Sequence, residues 1–203
     1  INATPMANDA HFVIPTDYYV NSKRGNMLYG ETSSPTLTFS NGSRIGTCSF
    51  PGYSGTIFEP IDEFKGDLAR MWLYFITRYE DKLVSFYNLN VSGTPFDGST
   101  DKGYQQWIIN MLLKWSIKDP VSQREIDRNN AVYNFQGNRN PFIDHPEFIE
   151  QIWKSTLSTD EKIAQNNLDI YPNPVKNNIL FVNGKDIQKI KRIEIYNISG
   201  ALV

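Results

Sequence analysis

The sequence predicts an α+β fold: a helix-rich domain over residues 1–157, a linker over 158–167, and a small all-β C-terminal module over 168–203 that is incomplete. Three observations carry this. Between residues 60 and 153 apolar side chains recur at helical spacing. Residues 30–56 are rich in Gly, Ser, Thr and Pro and show no helical period. After the polar run "KSTLSTDEKIAQNN", the stretches "LDIYPNPVKNNILFV" and "IKRIEIYNISGALV" alternate in the manner of strands.

Taken in order, "HFVIP" at 11–15 reads as a short buried strand ended by Pro15. Thr16 or Asp17 then caps a helix running to about Lys23, with Gly25 as its stop. On that helix Asp17, Asn21 and Arg24 share one face, while Val20 and one of Tyr18 or Tyr19 anchor the other. Residues 30–56 read as a long loop with room for a hairpin, of a length that is often functional. Three strong helices follow. The first starts near Pro60 and carries Leu68, Trp72, Phe75, Ile76 and Tyr79. The second carries Tyr104, Trp107, Ile108, Met111, Leu112 and Trp115. The third starts at Asp119 and Pro120 and stops at Gly137. A short fourth follows Pro146, with Phe148, Ile149, Ile152 and Trp153 on its apolar side. These aromatic stripes are read as core packing.

With 203 residues, 40% of them hydrophobic, the chain is long enough for one globular domain with an appendage. Twenty Lys and Arg against 22 Asp and Glu give a net charge of −2, so nucleic-acid binding would rest on a local patch. Cys48 is the only cysteine, which excludes an internal disulfide framework; with His11 and His145 as the only histidines, a multi-histidine metal site within the chain is excluded too. No run of 18 apolar residues is present, so no membrane span is expected. Neither G-x-S-x-G nor a Cys–His pairing supports another hydrolase class.

The stretch "VNSKRGN" at 20–26 places two carboxamides and two cations within a few residues. Metal-assisted phosphodiester hydrolysis needs oxygen ligands for a divalent ion, a general base for water, and cations for the phosphate. Asn21 offers a neutral oxygen ligand, Arg24 a fork for a phosphate or for the loop, and Lys23 positive potential. Alone, this pattern is weak.

Three ordered blocks strengthen it. "NDAHF.IPTD..VN..RGN" at 8–26, "FEPIDEFKGDLAR" at 58–70 with "YFITRYED" at 74–81, and "LLKWSIKDPVSQREIDRNNAVYNFQGNRNPFIDHPEF" at 112–148 resemble the endonuclease I family of secreted bacterial nucleases. The resemblance implies a ββα-metal (His-Me) finger that cleaves DNA, often RNA too, with little sequence preference and with Mg²⁺ or another divalent cation. It matches Asn21 to the family's metal-binding carboxamide; Lys23, Arg24, Asn26 and Arg139 are the candidate nucleic-acid contacts by their charge and hydrogen-bonding groups. For Asn138, Arg139 and Asn140, bracing of the finger is the alternative to phosphate contact. Gly25 stands where the family has Ser. The family's general-base His, with its neighbouring Glu ligand, lies N-terminal to these blocks, and nothing like that stretch occurs in this chain. No catalytic base is therefore assigned within residues 1–203, and the chain is expected to be truncated upstream of Ile1 and to hold half a site. His11 is read as ordering the finger or as a buried, satisfied His, and His145 as an N-cap neighbour. Glu59, Asp67 and Arg70 are expected in buried ion pairs.

"LDIYPNPVKNNILFV" with "IEIYNISG" resembles the type A C-terminal sorting domain of the type IX secretion system, with "YPNP" its most specific element. Pro172 and Pro174 are expected to force a turn at its start. The resemblance implies a partnership with the secretion machinery, export across the outer membrane and removal of the tail or anchoring through it, so that the protein ends secreted or at the cell surface; a monomer is expected. The rival reading is a non-catalytic exported module that keeps the nuclease fold and binds nucleic acid or another partner.

Overall fold

The computed structural model describes residues 5–89, 93–100, 102–157, 169–176 and 179–183. The chain divides into two compact units, Ile1–Leu157 and Ser158–Val203. The first is a helix-rich α+β domain.

Its sheet has four strands: β1 (Leu28–Tyr29), β2 (Ser34–Thr38), β3 (Arg44–Thr47) and β4 (Thr56–Glu59), in the order β1-β4-β3-β2. β2, β3 and β4 run as an antiparallel meander, whereas β1 pairs parallel to β4 through Leu28↔Ile57 and Tyr29↔Phe58. The expected loop over 30–56 thus holds the antiparallel hairpin of β2 and β3 and leads into β4. The strands escape a period-2 search because they are short and β2 is exposed at all five positions. Glu59 ends β4 buried, where its carboxylate accepts the Thr32 N–H at 2.9 Å and pairs with Arg44 and Lys65, each at 2.8 Å.

The stretch 11–15 is no strand either. Phe12 and Val13 N–H donate to the Asp9 carbonyl at 2.9 and 2.8 Å, closing a turn. The Ala10 and Val13 carbonyls accept from the Arg128 guanidinium. With these backbone groups already paired, a ladder has nothing to bond.

Helix α1 (Tyr18–Arg24) lies where the sequence puts it. The Asp17 carboxylate accepts the Val20 N–H at 2.8 Å as the N-cap. Gly25 ends it at φ 53° and ψ −126°, a conformation that only glycine adopts without strain. Val20 packs into a small cluster with Phe39, Ile45 and Phe58.

The core is built on α2 (Lys65–Arg78) against α4 (Gln106–Lys118), with α3 (Leu83–Tyr87) between them in the chain. α2 starts later than Pro60 because Asp62–Phe64 form a 3-10 turn first. Its Leu68, Leu73, Phe75 and Ile76 are buried, and α4 is buried nearly all round, as befits a central helix. Each such side chain contributes roughly 1.5–3 kcal/mol of burial. Gly66 lets α2 approach the α4 C-terminus: a Cβ there would meet the Asp119 carbonyl at 2.0 Å.

α5 (Gln123–Gln136) is capped by Ser122 in a capping box with Glu125, three residues past the expected start, and stops at Gly137 as read. α6 (Pro141–Asp144), too short to show a period, precedes α7 (Glu147–Leu157). In the second unit, β5 (Asp169–Lys176) pairs antiparallel with β6 (Ile179–Asn183). Pro172 and Pro174 fall inside β5 rather than in a turn, and the pairing register shifts between Tyr171 and Lys176, the stretch holding both N–H-less residues. "IEIYNISG" lies outside the described residues. Among those described, no helix is long and apolar enough to cross a membrane.

Candidate active site

α1 carries the polar cluster that the sequence singled out. No residue of α1 is fully buried: Val20 anchors it on the Phe39 cluster, and its polar side chains are left to the surface. Asn21 is exposed. Arg24, half-buried, leans back along the helix: Nη2 donates to Asn21 Oδ1 at 3.4 Å, Nη1 to the Met27 carbonyl at 3.5 Å, and its guanidinium sits 5.2 Å from the Tyr29 ring. These contacts are long. They hold Arg24 beside Asn21 without saturating either group, and Asn21 Oδ1 keeps a lone pair for a cation. Lys23 reaches over the Tyr19 ring at 5.6 Å, and Asn26 is exposed just past Gly25.

α1 forms one wall of a cleft of about 850 Å³. Asn21 and Arg24 line it together with Arg124 and Arg128 from α5, over an apolar floor that includes Met71 and Trp72 of α2. The two α5 arginines were not expected at the site. Their i, i+4 spacing in "REIDRNN" was the available signal, and only their place in the cleft lining gives it meaning.

The chain matches the endonuclease I family profile over residues 2–147. It is 38% identical to an extracellular ribonuclease of Bacillus amyloliquefaciens over 152 residues, covering 74% of this chain and 48% of that protein. It is 41% identical to an extracellular ribonuclease of Bacillus subtilis strain 168 over 150 residues, covering 71% and 46% respectively. An endonuclease-1 of Buchnera aphidicola subsp. Baizongia pistaciae is 27% identical over 143 residues, covering 70% and 48%. The chain belongs to the endonuclease I family. It spans about half the length of the curated relatives it matches.

In this endonuclease I chain, Arg139 forks onto Asp144 through Nε and Nη2, both at 2.7 Å, and lies over the Tyr133 ring. That is the geometry of bracing. The neighbouring carboxamides brace as well. Asn140 Oδ1 accepts the Phe142 N–H at 3.0 Å and its Nδ2 donates to the Arg70 carbonyl at 3.1 Å. Buried Asn129 reads the Asn140 backbone, Oδ1 accepting its N–H at 2.9 Å and Nδ2 donating to its carbonyl at 3.3 Å. Asn138 Nδ2 donates to the Tyr74 hydroxyl at 2.7 Å.

Behind α1, the endonuclease I domain fixes its entry loop through buried Asp9. That carboxylate accepts the His11 N–H and Gln136 Nε2 on Oδ1, each at 2.9 Å, and the Tyr74 and Tyr79 hydroxyls on Oδ2 at 2.8 and 2.7 Å. Burial pushes its pKa up, but the four donors together outweigh burial and leave it below 3.8. Burial, and then the adjacent Asp9 charge, raise both tyrosines far above the ordinary phenol range. His11 is buried with Nε2 2.9 Å from the Asn138 carbonyl, the contact of a structural His. His145 is exposed, 3.2 Å from Glu147 and stacked on Phe148. Of the buried ion pairs expected, Arg70 with Glu125 is buried and Glu59 meets Arg44 and Lys65 from a buried carboxylate, whereas Asp67 is only half-buried and pairs with exposed Arg124. Among the described residues, no group of three or more His, Cys, Asp or Glu side chains is arranged to hold a metal ion.

A divalent cation on this helix would take Asn21 Oδ1 as its neutral ligand. An exposed carboxamide on an exposed helix suits a hard cation that keeps several waters, and Asn21 alone supplies a single protein oxygen.

Proposed function

We propose that the protein is a secreted, metal-dependent endonuclease of the ββα-metal type, hydrolysing phosphodiester bonds in DNA and RNA with little sequence preference. The observation that carries this is the placing of Asn21 on exposed α1, beside Arg24 and Lys23, in the lining of a cleft that Arg124 and Arg128 also line. In this reading Asn21 holds Mg²⁺ or another divalent cation, which supplies charge stabilisation at the scissile phosphate. Lys23, with Asn26 beside it, meets the backbone phosphates. Arg24 fixes the Asn21 carboxamide and presents its remaining N–H groups to the same phosphate. Arg139 supports the site from behind through Asp144 and contributes positive potential. No general base is assigned among the described residues. His11 is committed to the Asn138 carbonyl and His145 sits apart on an exposed surface. Secretion is supported by the extracellular relatives, and export through the outer membrane is proposed from the resemblance of the tail from residue 168, with its "YPNP", to a sorting domain.

Plasmid nicking in Mg²⁺ and in EDTA tests this, using the protein expressed from its whole reading frame beside the 203-residue chain. Cleavage confined to Mg²⁺, with Asn21→Ala losing at least about 10²-fold, is expected, that being the scale for one preorganised charge-stabilising contact. Cleavage in EDTA, or full activity of Asn21→Ala, overturns it. Nucleic-acid binding without cleavage by either form would instead favour a binding module.

A further inference from the structure

We infer that the outer face of α1 is a stacking platform for unpaired bases, so that the site favours single-stranded stretches of its substrate. This rests on the nuclease reading above and names the substrate class within it. Tyr18 opens α1 and is 89% exposed. Among the described residues its ring and hydroxyl meet no partner. It therefore contributes nothing to the core, and tyrosine is a poorer helix former than alanine at an exposed position. The fold gives no reason for it to be there.

Its neighbours give one. Tyr18 stands one turn from Asn21, on the same side of the helix at i, i+3. Tyr19, 58% exposed, is held edge-on against buried Phe39 at 6.0 Å, with a 77° interplanar angle. Lys23 lies over the Tyr19 ring, and Arg24 follows. One short helix thus presents an unsupported aromatic ring, a second ring fixed from below, and two cations. Every base has a π-face, whereas a paired base in a duplex offers none at the side of the helix. The phosphates that link such bases are complementary to Lys23 and Arg24. Duplex DNA meets the cations but gives Tyr18 nothing to stack on.

The test is equilibrium binding without turnover. The protein from its whole reading frame, in EDTA, is titrated into a fluorescent oligothymidylate and into a duplex of equal length. Tyr18→Ala should weaken oligothymidylate binding about tenfold and duplex binding less than twofold, while Tyr18→Phe stays near wild type. The salt dependence should be unchanged by Tyr18→Ala and shallower by about one unit of slope in Lys23→Ala. Because Tyr18 is so exposed, circular dichroism should show an unaltered fold. Equal losses on both substrates, no loss at all, or a Tyr18→Phe protein as weak as Tyr18→Ala would each overturn the platform while leaving the nuclease reading intact. Wild-type protein that binds neither oligonucleotide would overturn both.

Discussion

Arg70 and Glu125, 55 residues apart in the chain, meet in a buried two-point ion pair: Nε to Oε1 at 2.6 Å and Nη2 to Oε2 at 2.8 Å. Arg70 Nη1 also donates to the Asp119 carbonyl at 2.9 Å, so one guanidinium ties α2 to the end of α4 and the start of α5. Through α5 that anchor helps to place Arg124 and Arg128 in the lining of the cleft.

Breaking this pair on one side strands a buried charge. Arg70→Met should lower unfolding free energy by about 3–5 kcal/mol, and Arg70→Met with Glu125→Met should recover much of that loss. Urea unfolding of the two variants checks it. A double variant no more stable than the single one would show that the pair does more than neutralise itself.

Asp9 predicts an acid-sensitive term in stability. Its folded-state pKa lies below the ordinary 3.8, so the stabilisation is full above that value and is lost as the pH falls through the folded-state pKa. Asp9→Asn should be less stable at pH 7 by about 1–3 kcal/mol, because a carboxamide cannot accept from all four donors. The deficit should shrink toward pH 3. Denaturation curves across pH 2–7 measure both.

Asp67 behaves in the opposite sense. Burial, and then the nearby Glu125 carboxylate, raise its pKa to about 6, against the pull of Arg124 and Arg70. A raised acid favours folding most below 3.8, and that contribution disappears as the pH climbs through about 6. Asp67→Asn should flatten the fall in melting temperature between pH 4 and 7. An unchanged profile would place the titration elsewhere.

Gly25 governs how α1 ends. A Cβ there would touch nothing within 4 Å, so replacement is opposed by the backbone alone. Gly25→Ala should cost about 1–3 kcal/mol, and since α1 has no buried residue the strain should appear locally. Amide exchange should speed up in α1 while the α2–α4 core keeps its protection. Nicking activity should fall with it if Asn21 acts from that helix.

The sequence alone determined the helices α2, α4 and α7, because apolar stripes at a 3.6-residue period have few other ways to be buried, and it located α5 near its ends by an acidic-proline start and a terminating Gly137. It determined α1 too, since a capping Asp17 and a terminating Gly25 act within a few residues of themselves. It pointed to Asn21, Lys23 and Arg24 for the same local reason, and the family was legible in three ordered blocks. What it left open depends on partners distant in the chain. The sheet over 28–59 rests on pairing between short strands, one of them wholly exposed, which leaves no alternation to read. The run 11–15 looks like a strand until Asp9 and Arg128, the latter more than 100 residues away, take its backbone groups. Arg124 and Arg128 look like two surface cations on a polar helix. Only the tertiary structure, by packing the polar stripe Glu125 and Asn129 inward, brings them into the lining of the cleft that Asn21 and Arg24 share.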